Sequence, residues 1–184
     1  MTFDDGPDSV YTGKILDILE RNKIKATFFI IGKKALENPE LVKRIISKGH
    51  EIGNHSYSHK SLIFKSTAYV QKEIEKTDKI LGNLGVKGDI CFCPPYGRMD
   101  AIARMVFRKL HKKVILWDNN PKDFKRSSSD EIVNKVLKKL KPGSIIVLHD
   151  GGGDRTETIE AVEILIPELL KRGYNFKKVL ELFS

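Results

Sequence analysis

The chain has 184 residues, and 33 Lys and Arg against 24 Asp and Glu give it a formal charge of +9. Hydrophobic residues make up 40% and charged residues 31%, so we expect one soluble globular domain spanning residues 1–184. The longest apolar runs, Ala26 to Ile31 and Ile145 to Leu148, are far shorter than the roughly 20 residues that cross a bilayer, which excludes a transmembrane segment.

Short β-rich runs alternate with amphipathic helical patterns along the chain. The β-rich runs are Met1 to Phe3, Ala26 to Ile31, Glu51 to Asn54, Ile90 to Cys93, Val114 to Trp117, Ser144 to His149 and Asn175 to Lys178. The helical patterns are Val10 to Arg21, Pro39 to Lys48 with Asn38 as N-cap, Thr67 to Leu84, Asp100 to Leu110, Asp130 to Leu140 with Ser129 as N-cap, and Thr158 to Lys171 with a bend or break at Pro167. This alternation predicts an α/β fold with about seven mainly parallel strands, either doubly wound or closed into a barrel.

Polar side chains follow the predicted strands at the points where sites are built in such folds. They are Asp4-Asp5, His55, Tyr96, Asp123 and His149. The carboxyl ends of parallel strands meet at one edge of the sheet, so we expect these groups to lie close together.

Asp4 and Asp5 supply two adjacent carboxylates that can divide their roles. One carboxylate can bind a metal ion while the other takes a proton from water. Taken alone, an Asp-Asp-Gly-Pro sequence is also typical of a structural turn.

His55 and His59 form an H-x-x-x-H pair, which in a helical turn would chelate one ion. Two solvated surface histidines would give the same spacing. Two histidines and one carboxylate form the ligand set of a hydrolytic zinc site and also of the non-haem Fe(II) oxygenases. The β/α alternation favours hydrolysis, because those oxygenases more commonly use a β-sandwich.

His149 ends an apolar strand and is a candidate general acid, since its ordinary pKa lies close to neutrality. Asp123 could fix the tautomer of the His149 imidazole. Pro95 and Tyr96 lie in a rigid turn whose Tyr96 amide could face an oxyanion, and Trp117 could line an apolar slot. Alternatively, His149 caps the end of the strand, the turn at Pro95 and Tyr96 is an ordinary tight loop, and Trp117 is a core residue.

Two cysteines occur, Cys91 and Cys93, and their spacing on one strand face is too constrained for an ordinary disulfide. The basic residues are spread over every helix-like segment and are rarely interleaved with aromatic residues. We therefore expect no nucleic-acid partner.

Taken together, these motifs resemble those of the polysaccharide deacetylases, the NodB-homology group or carbohydrate esterase family 4. The motifs that carry the resemblance are Thr2 to Pro7, His55 to His59, Pro94 to Gly97, Trp117 to Phe124, and Leu148-His149. The resemblance covers essentially the whole chain. It implies a distorted (β/α) barrel and a divalent metal, most often zinc with cobalt or nickel as alternatives, that takes part in removing acetyl groups from acetylated sugars.

The same resemblance implies roles for individual residues. The implied metal ligands are Asp5, His55 and His59; the implied base is Asp4, and the implied acid is His149, tuned by Asp123. The implied substrate and oxyanion contacts are the Tyr96 amide, Pro95, Trp117 and Leu148.

The chain departs from the family pattern at two positions. Cys93 stands where the family usually has an arginine that pairs with the base, and Phe124 stands where it usually has a tryptophan. Losing the arginine's charge should raise the pKa of Asp4 and loosen its orientation.

The favoured function is metal-dependent deacetylation of N-acetylated sugars in a peptidoglycan-like or chitin-like glycan. The alternatives are a catalytically impaired sugar-binding or regulatory homologue and an O-acetyl xylan esterase. The family implies a secreted or cell-envelope protein, although this chain shows no signal-peptide pattern.

Overall fold

Four short parallel strands form the central sheet in the computed structural model, which describes residues 1–125 and 127–183. The strands are β1 (Thr2–Gly6), β2 (Thr27–Ile30), β3 (Glu51–Asn54) and β4 (Val147–His149). They lie in the order β3-β2-β1-β4, and all neighbouring pairs are parallel. Every residue of β2 is buried, as expected for a parallel strand covered on both faces.

Single bridges extend this sheet beyond its strands. Phe92 pairs with Asn54 at the end of β3 and also with Val114, while Asn119 pairs with Ile146 beside β4. The segment from Val114 to Asn119 therefore lies against the β4 edge and reaches the β3 edge through Phe92, so that the two edges are linked. The expected α/β fold with a mainly parallel sheet is confirmed, and its linked edges give it the outline of a distorted barrel.

The prediction of about seven strands is wrong, because the described residues contain four. The runs Ile90 to Cys93 and Val114 to Trp117 contribute isolated bridges instead of ladders. Pro94 and Pro95 follow the first of these runs directly and have no backbone N–H, so the pairing at Phe92 cannot continue.

The run Asn175 to Lys178 also forms no strand. Just after this run, side chains of β2 and β3 accept the backbone hydrogen bonds that a strand would have donated to another backbone. The Val179 N–H donates to Thr27 Oγ1 at 2.9 Å, and the Leu180 N–H donates to the Glu51 carboxylate at 3.3 Å. These bonds satisfy the backbone donors without a seventh strand.

Seven helices pack around the sheet within the described ranges. They are α1 (Tyr11–Arg21), α2 (Gly32–Glu37), α3 (Pro39–Ser47), α4 (Thr67–Asn83), α5 (Ala101–Lys109), α6 (Ser129–Lys139) and α7 (Thr156–Lys171). Only the short α2 was not predicted. Pro167 does not interrupt α7, because it removes a single backbone donor while the apolar face around it stays buried. Among the described helices, none has the length and apolar character needed to cross a bilayer.

Two of the predicted helix caps differ in the structure. Ser128 caps α6 in place of Ser129, and its Oγ accepts the Glu131 N–H at 3.3 Å. A glutamate three residues after a serine is the capping-box pattern, which favours Ser128. Asn38 occupies the N-cap position of α3, but its side chain accepts no capping hydrogen bond.

A histidine is buried at the edge of the main hydrophobic core. The Phe3 and Phe28 rings stack at 5.1 Å, and His50 packs edge-on against Phe28. His50 Nδ1 accepts the Ala26 N–H at 3.2 Å, while its Nε2 has no partner among the described residues. Burial lowers the pKa of His50 from 6.5 to about 4, because a buried imidazolium loses its hydration.

We expect His50 to make the fold sensitive to acid. As the pH falls below 6.5, the unfolded chain takes up a proton that the folded chain refuses until about pH 4. The free energy of unfolding should therefore fall by about 1.4 kcal/mol per pH unit in this window, on top of contributions from other groups. The Asn oxygen can accept the same N–H without titrating, so His50→Asn should show a shallower slope in urea unfolding between pH 7 and pH 4.5.

The exposed His111 provides the matched control. The His111→Asn variant keeps the buried imidazole of His50, so its slope between pH 7 and pH 4.5 should still exceed that of His50→Asn. Parallel slopes for wild type and His50→Asn would contradict the assignment of acid sensitivity to His50.

Candidate active site

A bulge in β1 brings two adjacent carboxylates to the same side of the sheet. Along β1, Asp4 pairs with Phe29 but Gly6 already pairs with Ile30, so Asp5 is an extra residue without a partner. Its φ of 72° lies in the left-handed region. Side chains alternate between faces in a regular strand, so without the bulge Asp4 and Asp5 would point apart.

Both carboxylates instead lie beside one imidazole. His55 Nε2 is 3.4 Å from Asp5 Oδ1 and 3.8 Å from Asp4 Oδ2. The neighbours of the bulge must be glycines. A Cβ at Gly6 would lie 2.2 Å from the Asp150 carboxylate, and a Cβ at Gly151 would lie 2.4 Å from the Asp5 carbonyl oxygen.

The two histidines are brought together by a loop and not by a helical turn. His55 follows β3 directly, and the chain then passes through left-handed conformations at Ser56 (φ 64°) and His59 (φ 56°). His59 Nε2 comes within 3.0 Å of Asp5 Oδ1, and the two imidazole ring centroids are 4.9 Å apart. The i, i+4 spacing thus juxtaposes the pair through a loop, without a helical turn.

Glu73 of α4 holds this loop, although it is not among the site residues predicted from the sequence. Its buried Oε2 accepts hydrogen bonds from the Tyr57 N–H (3.1 Å), the Ser58 N–H (2.8 Å) and the Ser58 hydroxyl (3.0 Å). A glutamate three residues after Val70, on the apolar stripe of α4, was the signal that could have found it.

The donor set of Asp5, His55 and His59 fits a divalent metal ion. Their ligand atoms lie within 4.8 Å of one another. His55 Nδ1 lies 2.7 Å from the Cys93 carbonyl oxygen and must donate to it, which leaves a lone pair on Nε2 directed at the carboxylates. Asp5 Oδ1 is buried and has no hydrogen-bond partner in the described part of the chain. A divalent cation bound between these atoms would satisfy the lone pairs that face one another.

Electrostatics in the cluster agree with a bound cation. Burial raises the pKa of Asp5, but the imidazoles of His55 and His59 lower it further, to below its ordinary value. Burial, together with the neighbouring His55, lowers the pKa of His59 to about 4, so this imidazole is neutral at pH 7, as a metal ligand must be. For His55, burial lowers the pKa, and the Asp4 and Asp5 carboxylates raise it by more.

His149 faces the cleft from the end of β4 and is fixed by Asp123. The Asp123 Oδ1 atom lies 2.7 Å from His149 Nδ1, and Oδ2 accepts both the His149 N–H (2.8 Å) and the Thr158 hydroxyl (3.0 Å). Burial lowers the pKa of His149, but the bond to Asp123 raises it to about 9 overall. His149 is therefore a cation at neutral pH, with Nε2 free to donate a proton. Thr158, which orients Asp123, was not singled out from the sequence.

A neutral thiol occupies the position beside Asp4 where the family resemblance implies an arginine. Cys93 Sγ lies 3.6 Å from Asp4 Oδ2, and both residues are buried. Burial and the Asp4 carboxylate raise the pKa of Cys93 well above its ordinary value, so the thiol stays protonated and can donate. Arg98 is exposed and forms no ion pair with Asp4, so it does not replace the missing charge.

Most of the predicted site residues surround one cleft of about 1100 Å³. The residues of the predicted set that line it are Asp4, Asp5, His55, His59, Tyr96, Trp117 and His149, and Phe124 joins them. Trp117 packs on Gly97, where a Cβ would lie 2.7 Å from the indole. Leu148 and Pro95 are buried and are not part of the described lining.

The chain is similar to a known sequence family and to individual proteins of known activity. The sequence model of the polysaccharide deacetylase family matches residues 1–115. A peptidoglycan-N-acetylglucosamine deacetylase of Bacillus cereus is 39% identical over 184 residues, covering 99% of this chain and 86% of the relative. A chitooligosaccharide deacetylase of Sinorhizobium fredii is 32% identical, covering 95% of this chain and 86% of the relative.

Solved structures share the same fold. The crystal structure of the Bc1960 peptidoglycan N-acetylglucosamine deacetylase superposes with a TM-score of 0.94 at 36% identity, covering 98% of this chain and 85% of that one. A pseudoenzyme of the same carbohydrate esterase family from Bacillus anthracis superposes with a TM-score of 0.91 at 28% identity, covering 100% of this chain and 64% of that one.

The three hydrogen bonds from the His55–His59 loop to Glu73, the loop clamp, predict that Glu73 contributes to metal affinity. Glu73→Ala removes the acceptor that fixes the His55–His59 loop and should weaken zinc binding about tenfold, as is usual for groups that orient metal ligands. Glu73→Gln keeps one carbonyl acceptor and should lie between wild type and Glu73→Ala. Competition with a chromophoric chelator measures these affinities.

Glu75 lies on the exposed side of the same helix, so Glu75→Ala is the matched control and should bind zinc like wild type. Thermal unfolding of each variant shows that it is folded. A folded Glu73→Ala protein with wild-type zinc affinity would rule out the clamp.

Proposed function

Because the chain belongs to the polysaccharide deacetylase family, we propose that it hydrolyses the acetamide group of N-acetylated sugars in a peptidoglycan-like or chitin-like glycan. The relatives named above are carbohydrate deacetylases, which supports an acetylated glycan as the substrate. The observation that carries the proposal is the bulge at Asp5, which places two carboxylates of one strand beside His55.

In this proposal Asp5, His55 and His59 hold a divalent cation, with zinc as the metal best suited to two nitrogen ligands and one carboxylate. When bound, such a cation polarises a carbonyl group and lowers the pKa of water. Asp4 lies beside this set without belonging to it, and its Oδ1 is buried and unpartnered among the described residues. Asp4 is therefore placed to take the proton from the attacking water.

His149 supplies the second proton transfer. The scissile C–N bond breaks only when the departing nitrogen receives a proton, and His149 Nε2–H donates it from across the cleft. The Asp123 carboxylate keeps His149 protonated and oriented through Nδ1. The products are acetate and a free amino sugar, and Asp4 and His149 then exchange their protons with solvent.

The remaining cleft residues position the acetyl group. The Tyr96 amide lies in a left-handed turn at the cleft and is assigned to the developing oxyanion. Trp117 and Phe124 supply aromatic walls, and Phe124 also packs edge-on against His149 at 5.2 Å. Leu148 and Pro95 would act from behind this surface, since both are buried.

A catalytically impaired glycan-binding protein is the second candidate function. The observation that favours it is the thiol of Cys93 beside Asp4, which brings no positive charge to hold the base ionised. Structural similarity to a pseudoenzyme of the family is consistent with this candidate.

The first test is acetate release from N-acetylglucosamine oligomers, peptidoglycan and acetylxylan, with protein stripped of metal and reloaded with zinc. We expect release from the N-acetylated substrates and its loss on chelation. Release from acetylxylan alone would instead indicate an O-acetyl esterase. Zinc and glycan binding without any release, partly rescued by Cys93→Arg, would establish the impaired homologue.

The division of roles between the two aspartates gives a sharper test. Asp4→Asn removes the base and should lower kcat by at least about 100-fold, while zinc affinity stays close to wild type. Asp5→Asn is the isosteric partner variant and should lose zinc affinity together with activity. Equal loss of zinc by both variants, or retained activity in Asp4→Asn, would contradict the assignment.

A further inference from the structure

Two exposed cations line the cleft without carboxylate partners in the described part of the chain. Lys60 directly follows His59, and Arg98 follows the Tyr96 turn. Both side chains are exposed, both line the cleft, and neither forms an ion pair within the described ranges.

Cations elsewhere on the surface are often paired. Arg44 pairs with Asp17, Lys48 pairs with Glu20, and Arg21 pairs with Glu163 at 2.7 Å. Other surface cations of this basic chain are unpaired as well, so what distinguishes Lys60 and Arg98 is their position in the lining of the cleft.

A groove beside the cleft continues the same charge. Met99 and Leu116 line it, and these residues are the chain neighbours of Arg98 and Trp117 in the cleft. Arg104 and Arg108, one turn apart on α5, also line the groove, and both are exposed and form no ion pair with any described residue.

The described lining of this groove contains no carboxylate. Its third cation, Lys112, is already bound to Asp78 at 2.7 Å. The free positive charge of the groove therefore comes from the two arginines of α5, and its exposed apolar surface comes from Leu116, which is 44% exposed. A chain that carries apolar sugar faces and negative substituents is complementary to such a surface.

We propose that Lys60, Arg98, Arg104 and Arg108, the basic strip, bind carboxylate groups carried by the glycan on the sugars next to the one being deacetylated. This inference rests on the proposed function and names its substrate class: an acetylated amino-sugar polymer with carboxylate substituents, preferred over a neutral one. The interior of the cleft holds the buried carboxylate of Asp4 and the partly buried carboxylate of Asp5, so negative groups are accepted only at the rim and in the groove.

The test compares two forms of one substrate that differ only in charge. The substrates are oligomers of alternating N-acetylglucosamine and N-acetylmuramic acid, with free lactyl carboxylates or with the same carboxylates converted to methyl esters. We expect kcat/KM for acetate release to favour the carboxylate form about tenfold at low ionic strength, and the preference to shrink as salt is added.

Neutralising the strip should reduce this preference. Arg104→Gln with Arg108→Gln removes two charges of the groove and should lower the ratio of the two kcat/KM values several-fold. Lys138→Gln with Lys139→Gln is the matched control, because it removes two exposed charges from α6 and leaves the strip intact. The ratio should stay at the wild-type value in the control.

Three outcomes would overturn the inference. They are equal kcat/KM for the two substrate forms, an equal drop in both double variants, and stronger competition by single-stranded DNA than by the carboxylate oligomer. If no substrate releases acetate, the proposed function fails, and fluorescence anisotropy of labelled oligomers then decides the inference separately. Tighter binding of the carboxylate form, lost in the α5 double variant but not in the α6 control, would still support the basic strip.

Discussion

The arrangement of the site depends on one extra residue in β1. Asp5 is inserted between positions that pair with consecutive residues of β2, and this insertion turns two sequential carboxylates towards His55. The buried carboxylate of Asp4 and the partly buried carboxylate of Asp5 repel each other, and removing them from water costs free energy unless positive charge compensates them. The His55 imidazole, whose pKa the two carboxylates raise, supplies part of that charge. A divalent cation held by Asp5, His55 and His59 would supply the rest. Gly6 and Gly151 make room for this geometry, because a side chain at either position would collide with its neighbour.

Much of the site could be predicted because parallel strands end at a common edge. That rule alone placed Asp4, Asp5, His55 and His149 together, and the motif order supplied their expected roles. The backbone geometry that brings these side chains together could not be predicted from the sequence. The bulge at Asp5 has no residue signature that separates it from an ordinary turn. The His55–His59 pair carries helical spacing, yet a loop with left-handed residues produces the same proximity.

The fold could be predicted from the sequence to a similar extent. Helical periodicity located six helices closely, because each buries a continuous apolar face. Strand number was overestimated, since short apolar runs do not reveal how many residues will find a partner. At Phe92 the ladder stops after one pair, and near Val179 side chains take over the hydrogen bonds. Glu73 and Thr158 could not be predicted for a related reason. Both act through contacts with residues distant in the sequence, and the residues around them do not indicate these contacts.

The central place of β1 in the sheet also constrains how the chain is made. β1 carries both aspartates at the start of the chain, yet its partner β4 begins only at Val147, and the bond between Thr2 Oγ1 and the Ile146 carbonyl spans 144 residues. During synthesis on the ribosome, one edge of β1 therefore stays unpaired until the residues of β4 have been made. Contacts of such long range slow folding and leave an exposed strand edge in the nascent chain. The strand that carries both aspartates thus depends on residues that are synthesised late. Its exposed edge needs protection from other nascent chains until those residues emerge.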